Sequence, residues 1–150
     1  MTTKPDQLIL LIEDSPEDYE ATLRALTRSG LANPIFRCDD GESALNYLFH
    51  RGKFAQNNAP RPGLILLDLD LPGIDGREVL AEIKNDPELK TIPVVVFTIS
   101  NDEQEIEKCY QAGANGYVKK PVNLESYLNA INRLTNYWFE IVVLPKPAGQ

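Results

Sequence analysis

Residues 64–73 read Leu-Ile-Leu-Leu-Asp-Leu-Asp-Leu-Pro-Gly. An apolar run followed by acidic residues occurs again at residues 8–14. Four consecutive apolar residues before an acid and a Pro-Gly break predict a short strand that is buried on both faces. The strand places Asp68 at its carboxyl end, and in open α/β sheets ligands bind in the crevice beyond that end. Asp68 is therefore a candidate metal ligand, a nucleophile, or both. The plainer alternative is that Asp68 caps the following turn.

Apolar strands alternate with amphipathic helices along the chain. Strands are predicted at residues 8–12, 35–38, 64–67, 93–98 and 116–118, and a segment with apolar residues at helical spacing follows each one. This alternation favours a parallel sheet with right-handed crossovers. The predicted fold class is therefore α/β: a doubly wound five-stranded parallel sheet in the flavodoxin-like order 2-1-3-4-5, with helices on both faces.

The composition is typical of one globular domain. The chain has 150 residues, of which 43% are hydrophobic, and a formal net charge of −7. This acidity argues against a nucleic-acid partner, because phosphate contacts need clustered Lys and Arg. No apolar run approaches the roughly 20 residues of a membrane span, and the first residues lack the apolar core of a signal peptide. We therefore expect a cytoplasmic protein without membrane contact, with Cys38 and Cys109 as reduced thiols packed like small hydrophobes.

The C-terminal segment differs from the rest of the chain. Residues 138–144 are dense in aromatic and strand-forming types, and a Pro-Lys-Pro sequence closes them before a polar tail. We predict one domain over 1–137 and an apolar extension with a polar tail over 138–150. The extension either contacts a second copy of the chain or folds back on its own domain.

Polar side chains follow four of the predicted strands. They are Glu13, Asp14, Asp68, Thr98 and Lys120. Because parallel strands run the same way, these side chains should meet at one edge of the sheet. Carboxylates on adjacent strands, about 4.8 Å apart, would repel each other, and a divalent cation would offset that repulsion. A few oxygen ligands completed by water favour Mg²⁺.

The same edge offers groups for phosphoryl chemistry. The Thr98 hydroxyl and the Lys120 ammonium suit a phosphoryl group held between metal and lysine. Asp68 is then the group to be phosphorylated, because carboxylate attack gives an acyl phosphate and no Ser-His or Cys-His pair competes. Taken singly, Glu13 and Asp14 could do no more than stabilise the start of the following helix. Thr98 and Lys120 are common residue types. Their joint placement at strand ends is more specific.

These motifs resemble the receiver domain of two-component response regulators over about residues 8–137. The motif Asp-x-Asp-x-Pro-Gly-x-Asp-Gly spans 68–76, and Lys120-Pro121 follows the fifth strand. The resemblance implies a switch rather than an enzyme, with Asp68 taking phosphate from the phosphohistidine of a sensor kinase. It also implies that Asp14, Asp68 and the backbone carbonyl of Asp70 bind Mg²⁺, with Glu13 helping through water.

The resemblance assigns further roles near the fourth and fifth strands. Thr98 and Tyr117 match the family's switch pair, and Lys120 matches its phosphate-binding lysine, which a cis bond to proline often follows. Ile99 departs from the family pattern, because a small residue is frequent there, and it would restrict how Tyr117 swings inward.

A narrower resemblance concerns the loop over residues 51–63 and the C-terminal segment, which are similar to the single-domain regulators paired with cyanobacterial phytochromes. A phytochrome-like sensor histidine kinase is thus the implied partner. The surface of helix 4, strand 5 and helix 5, together with the apolar extension, is a predicted homodimer contact.

An enzyme alternative remains open at this point. Residues 66–70 also resemble the DxD motif of haloacid-dehalogenase-type phosphatases, in which Asp68 would be the nucleophile and Asp70 the general acid. That motif usually follows the first strand of its fold and lacks a preceding acidic pair, whereas here Glu13 and Asp14 come earlier. Steady turnover of a phosphomonoester would favour this alternative.

Overall fold

Five parallel strands form one sheet at the centre of the protein. The computed structural model describes residues 7–56 and 59–146. The strands are β1 (Leu8–Ile12), β2 (Ile35–Cys38), β3 (Pro62–Leu67), β4 (Val94–Thr98) and β5 (Gly116–Lys119). They pair in the order β2-β1-β3-β4-β5, and every pair is parallel. The predicted fold class and strand order are therefore confirmed.

A helix follows each strand. The helices are α1 (Pro16–Arg28), α2 (Gly41–Phe49), α3 (Gly76–Asn85), α4 (Glu103–Gln111) and α5 (Leu124–Asn136). Each begins after an Asp, Ser or Asn whose side chain accepts a hydrogen bond from a backbone N–H of the first turn. These caps satisfy donors that the helix itself leaves unpaired, and they explain why the polar residues after each strand turn the chain into a helix.

The sheet divides the core into two layers. Alternate residues of β1 point to opposite faces, as the strand period requires. Leu8, Leu10 and Ile12 pack with buried residues of α2, α3 and α4, whereas Ile9 and Leu11 pack with those of α1 and α5. Both faces of β3 are buried, which accounts for its unbroken apolar run.

The C-terminal extension packs onto its own domain. A π-helical turn, Tyr137–Ile141, continues α5. Phe139 and Leu144 are buried in the α1–α5 layer of the core. Ile141 and Val143 lie between them in the chain and are 70% and 86% exposed. The extension thus contributes to the core with one set of residues and presents apolar side chains to solvent with the other.

The loop between α2 and β3 is anchored to α2. A 3₁₀ turn, Gly52–Phe54, buries Phe54 in the core. The Tyr47 hydroxyl donates to the Pro60 carbonyl at 2.7 Å, His50 Nε2 lies 2.9 Å from the Ala59 carbonyl, and Arg61 donates to the Leu48 carbonyl. The predicted loop positions 57–58 lie outside the described residues.

Both cysteines are buried free thiols, as expected. Burial raises the pKa of Cys38 to about 12, and burial also raises the pKa of Cys109. Across the residues that the structure describes, no helix has both the length and the apolar character that a membrane crossing requires.

Candidate functional site

The carboxyl ends of β1, β3, β4 and β5, here called the carboxyl edge, hold the polar side chains noted in the sequence. Lys120 lies at the centre of this edge and is almost fully buried. Its Nζ donates to Glu13 Oε1 at 2.7 Å and to Asp68 Oδ2 at 2.8 Å. A third bond, to Asp18 Oδ2 at 2.7 Å, reaches α1. The parallel topology therefore brings together groups that are more than a hundred positions apart in the chain.

Three carboxylates of the carboxyl edge could hold a metal ion. One carboxylate oxygen from each of Glu13, Asp14 and Asp68 lies within 4.8 Å of the others. Glu13 and Asp68 are buried, and Asp14 is exposed. Hard oxygen donors with an open, solvent-facing side fit a divalent cation that keeps some of its water. The donor set thus fits the group that the sequence predicts.

Asp70 occupies a different position from the other predicted ligands. Its backbone N–H donates to Asp68 Oδ1 at 3.1 Å, so its peptide lies beside Asp68. Its side chain points elsewhere, with Oδ1 3.9 Å from Arg77 Nη2. A contribution from the Asp70 carbonyl stays a prediction.

The electrostatics of the carboxyl edge are dominated by burial and by Lys120. Burial raises the pKa of Glu13 to about 7, although the hydrogen bond and charge of Lys120 act in the opposite direction. Burial alone would lower the pKa of Lys120, but its hydrogen bonds to Asp18, Asp68 and Glu13 outweigh that effect and raise it. Lys120 is therefore a fixed positive charge among an excess of carboxylates.

Thr98 brings an unused hydroxyl to the carboxyl edge. The residue is fully buried, and Thr98 Oγ1 has no hydrogen-bond partner within the described ranges. Its carbonyl accepts from the Lys120 N–H at 2.6 Å, which holds the ends of β4 and β5 together. A buried hydroxyl without a hydrogen-bond partner costs free energy. An anion that accepts a hydrogen bond from the Thr98 hydroxyl would therefore be stabilised there.

Tyr117 lies on β5 and takes part in a separate set of contacts. Its hydroxyl donates to the Ser100 carbonyl at 2.8 Å and lies 3.3 Å from Glu105 Oε1. Glu105 also pairs with Arg77, and Arg77 Nη1 donates to Asp75 Oδ1 at 2.8 Å. These contacts connect α4 and β5 to the segment that follows Asp68.

One detail differs from what the resemblance implies. The Lys120–Pro121 bond is trans, so the expected cis bond is wrong. The two isomers of an X–Pro bond differ by only about 0.5–1 kcal/mol, which is too little for sequence to decide. Ile99 is 66% exposed, and its effect on the inward movement of Tyr117 stays a prediction.

Sequence reasoning missed Asp18, Glu105 and Arg77. Asp18 looked like an ordinary acid in the first turn of a helix. Asp14 precedes α1, which begins at Pro16, so helical spacing gave no signal that Asp18 would reach Lys120. Glu105 and Arg77 belong to different helices, and sequence spacing gives no signal for a pair of that kind.

Similar proteins point to one family. Residues 9–132 match the family described as "Response regulator receiver domain". The chain is 41% identical over 143 residues to "Response regulator Rcp1" of Synechocystis sp.. The matched region covers 95% of this chain and 96% of Rcp1. The crystal structure of the Mn²⁺-bound form of Rcp1 has a TM-score of 0.88 at 41% identity, over 93% of this chain and 99% of that chain.

The crystal structure of the phosphorylated cyanobacterial phytochrome response regulator RcpA is similar as well. It has a TM-score of 0.89 at 41% identity, over 94% of this chain and 99% of that chain. Both structural likenesses cover more than nine tenths of this chain. The chain therefore belongs to the family of response regulator receiver domains.

Proposed function

We propose that this protein is a phosphoacceptor switch of a two-component system, phosphorylated on Asp68 with Mg²⁺ as cofactor. An Asp68 carboxylate oxygen attacks the phosphorus of a phosphohistidine, the P–N bond breaks, and the imidazole nitrogen keeps the electron pair. Lys120 Nζ, 2.8 Å from Asp68 Oδ2, supports this proposal most directly. It holds a permanent positive charge where phosphoryl oxygens would arrive.

The ligands proposed for Mg²⁺ are the carboxylates of Asp14 and Asp68 and the backbone of Asp70, with Glu13 acting through water. When bound, the ion supplies positive charge that offsets these carboxylates and the transferring oxygens. The buried Thr98 hydroxyl would donate to a phosphoryl oxygen, which gives its orphaned proton a partner.

Incubation with a small phosphodonor and Mg²⁺, followed by intact mass spectrometry, tests the acceptor. We expect a gain of one phosphoryl group in wild type and none in Asp68→Asn. Asp70→Asn is the matched control, because it changes an exposed acid two residues away and keeps the backbone carbonyl; it should be phosphorylated. A gain in Asp68→Asn would contradict the assignment. Steady release of phosphate from a phosphomonoester would instead support the phosphatase alternative.

The proposed phosphodonor is a phytochrome-like sensor histidine kinase in the cytoplasm. The likeness to the phytochrome response regulator RcpA supports this partner, and two buried free thiols fit a reducing compartment. A purified, autophosphorylated phytochrome kinase should transfer its phosphoryl group to this protein within minutes. Transfer from unrelated histidine kinases at the same rate would contradict the pairing.

Thr98 is proposed to couple phosphorylation to Tyr117. The Thr98 hydroxyl moves toward a phosphoryl oxygen, and Tyr117 fills the space that it leaves. A charge-assisted hydrogen bond contributes roughly 1.5–3 kcal/mol, whereas a shift from 1:99 to 99:1 needs about 5.5 kcal/mol. Thr98 and Lys120 must therefore act together.

Thr98→Ala should lower the equilibrium constant of the switch by about 10- to 100-fold while Asp68 is still phosphorylated. NMR of the Tyr117 ring before and after phosphorylation measures the shift, and mass spectrometry measures the phosphorylation. Thr135→Ala is the matched control, because Thr135 is equally buried but bonds only within α5. A normal Tyr117 response in Thr98→Ala would contradict the coupling.

A homodimer through α4, β5, α5 and the extension is also proposed. Four exposed side chains with apolar surface support it: Tyr110 on α4, Tyr137 and Ile141 in the π-helical turn, and Val143 just after that turn. Removing residues 138–150 is a poor test, because Phe139 and Leu144 belong to the core. Sedimentation of Ile141→Ser with Val143→Ser should show more monomer than wild type at equal concentration. An unchanged monomer fraction would contradict the dimer contact.

A further inference from the structure

Asp18 contacts Lys120 but does not belong to the three carboxylates proposed to bind the metal ion. It lies in the first turn of α1, and its carboxylate accepts from Lys120 Nζ at 2.7 Å. Its side chain is 33% exposed, whereas those of Glu13 and Asp68 are 3% and 8% exposed. Asp18 is also absent from the group of carboxylates whose oxygens lie within 4.8 Å of one another.

Asp18 uses up the last hydrogen-bonding capacity of Lys120. An ammonium has three N–H donors and accepts nothing. The three donors of Lys120 are matched by Glu13, Asp18 and Asp68, all between 2.7 and 2.8 Å. A phosphoryl oxygen can therefore bind Lys120 only if it displaces one of these carboxylates.

The backbone of Asp18 is held by three hydrogen bonds. Its N–H donates to Ser15 Oγ at 3.2 Å, and its carbonyl accepts from Thr22 Oγ1 at 2.9 Å and from the Tyr127 hydroxyl at 3.2 Å. The last contact comes from α5. Asp18 is thus positioned by both helices that cover this face of the sheet.

We propose that Asp18 is a positioning residue that holds Lys120 toward α1 and thereby weakens the binding of a phosphoryl group beside Asp68. The proposal rests on the phosphoacceptor function given above. Two physical effects act in the same direction. The Asp18 carboxylate occupies a donor that the phosphoryl group needs, and its negative charge repels an incoming anion at close range. Removing that charge should therefore tighten anion binding.

The test compares binding of beryllofluoride, a noncovalent phosphoryl mimic, to three proteins at saturating Mg²⁺. They are wild type, Asp18→Asn and the matched control Glu17→Gln. Glu17 lies in the same helical turn and loses the same charge, but it is exposed and its side chain contacts Ser15 rather than Lys120. Titration followed by NMR or calorimetry gives the affinity for beryllofluoride, and a separate titration gives the affinity for Mg²⁺.

We expect Asp18→Asn to bind beryllofluoride at least about fivefold more tightly than wild type, and Glu17→Gln to stay within about twofold. Mg²⁺ affinity of Asp18→Asn should fall by less than about threefold, because a nearby negative charge is lost but no ligand atom is. Opposite changes for cation and anion distinguish this role from a general loss of structure. Far-UV circular dichroism checks folding, and Asp18→Ser replaces the Asn variant if that variant does not fold.

Unchanged or weaker beryllofluoride binding in Asp18→Asn would overturn the proposal, since it would mean that Asp18 either does not restrain Lys120 or holds it in the binding position. Equal tightening in both variants would overturn it too, because a long-range charge effect would then suffice. Failure of wild type to bind beryllofluoride with Mg²⁺ is a different result. It would overturn the proposed phosphoacceptor function, and the role of Asp18 would fall with it.

Discussion

Lys120→Met should lower the free energy of unfolding by about 3–5 kcal/mol when no divalent cation is present. The substitution keeps the length of the side chain but removes the charge that Glu13, Asp18 and Asp68 share. Glu13 and Asp68 are both buried, so both would lose their cation in a region that water reaches poorly. Because Lys120 lowers the pKa of Glu13, its loss would also raise that pKa further and favour the protonated form of Glu13. Urea unfolding monitored by circular dichroism measures the difference.

Mg²⁺ should restore part of the stability lost in Lys120→Met, because a ligand that binds only the folded state stabilises it. The midpoint of unfolding should therefore depend more steeply on Mg²⁺ in this variant than in wild type. Lys119→Met is the matched control, since Lys119 is the exposed residue next to Lys120, at the end of β5. A Lys120→Met protein as stable as Lys119→Met would contradict the view that Lys120 balances the buried carboxylates.

Gly76→Ala should destabilise the protein by about 3 kcal/mol, at the upper end of the usual cost of overpacking. A Cβ at this position would overlap the carbonyl oxygen of Asp68 and lie 2.6 Å from Leu69 Cα. Both atoms belong to the backbone, so no side chain can rotate away. Because the displaced peptide carries Asp68 itself, phosphorylation by a small phosphodonor should also slow by about tenfold or more.

Gly116→Ala tests whether the effect of Gly76→Ala is local. A Cβ at Gly116 would lie 3.7 Å from the side chain of Val95, which is an ordinary contact. We expect Gly116→Ala to change stability by less than about 1 kcal/mol and to be phosphorylated at the wild-type rate. Thermal unfolding and a time course of intact mass give both quantities. Wild-type behaviour of Gly76→Ala would show that the segment after Asp68 can shift at little cost.

The sheet and the carboxyl edge were predictable because they depend on chain order and strand period. Apolar runs that end in Asp14 and Asp68 predict buried parallel strands, and the topology then determines where those ends meet. The same rule brings Lys120 to Glu13 across more than a hundred positions. Such residues can be found without knowing any side-chain conformation.

Other contacts could not be predicted because they depend on packing between helices. The contact between Asp18 and Lys120 depends on how α1 packs against the sheet. The Glu105–Arg77 pair beside Tyr117 needs the relative placement of α3 and α4. The Lys120–Pro121 isomer is a choice between states of nearly equal free energy. Sequence patterns contain little information on any of these.

The anchored loop before β3 offers a place for a fluorescent reporter. Gln56 is exposed there, and the six residues of β3, roughly 20 Å of extended chain, run from the end of this loop toward Asp68. Both natural thiols are buried with raised pKa values, so an introduced cysteine at position 56 would react with a maleimide dye far faster than Cys38 or Cys109. Tumbling and self-association could then be followed by fluorescence anisotropy with the phosphorylation chemistry undisturbed.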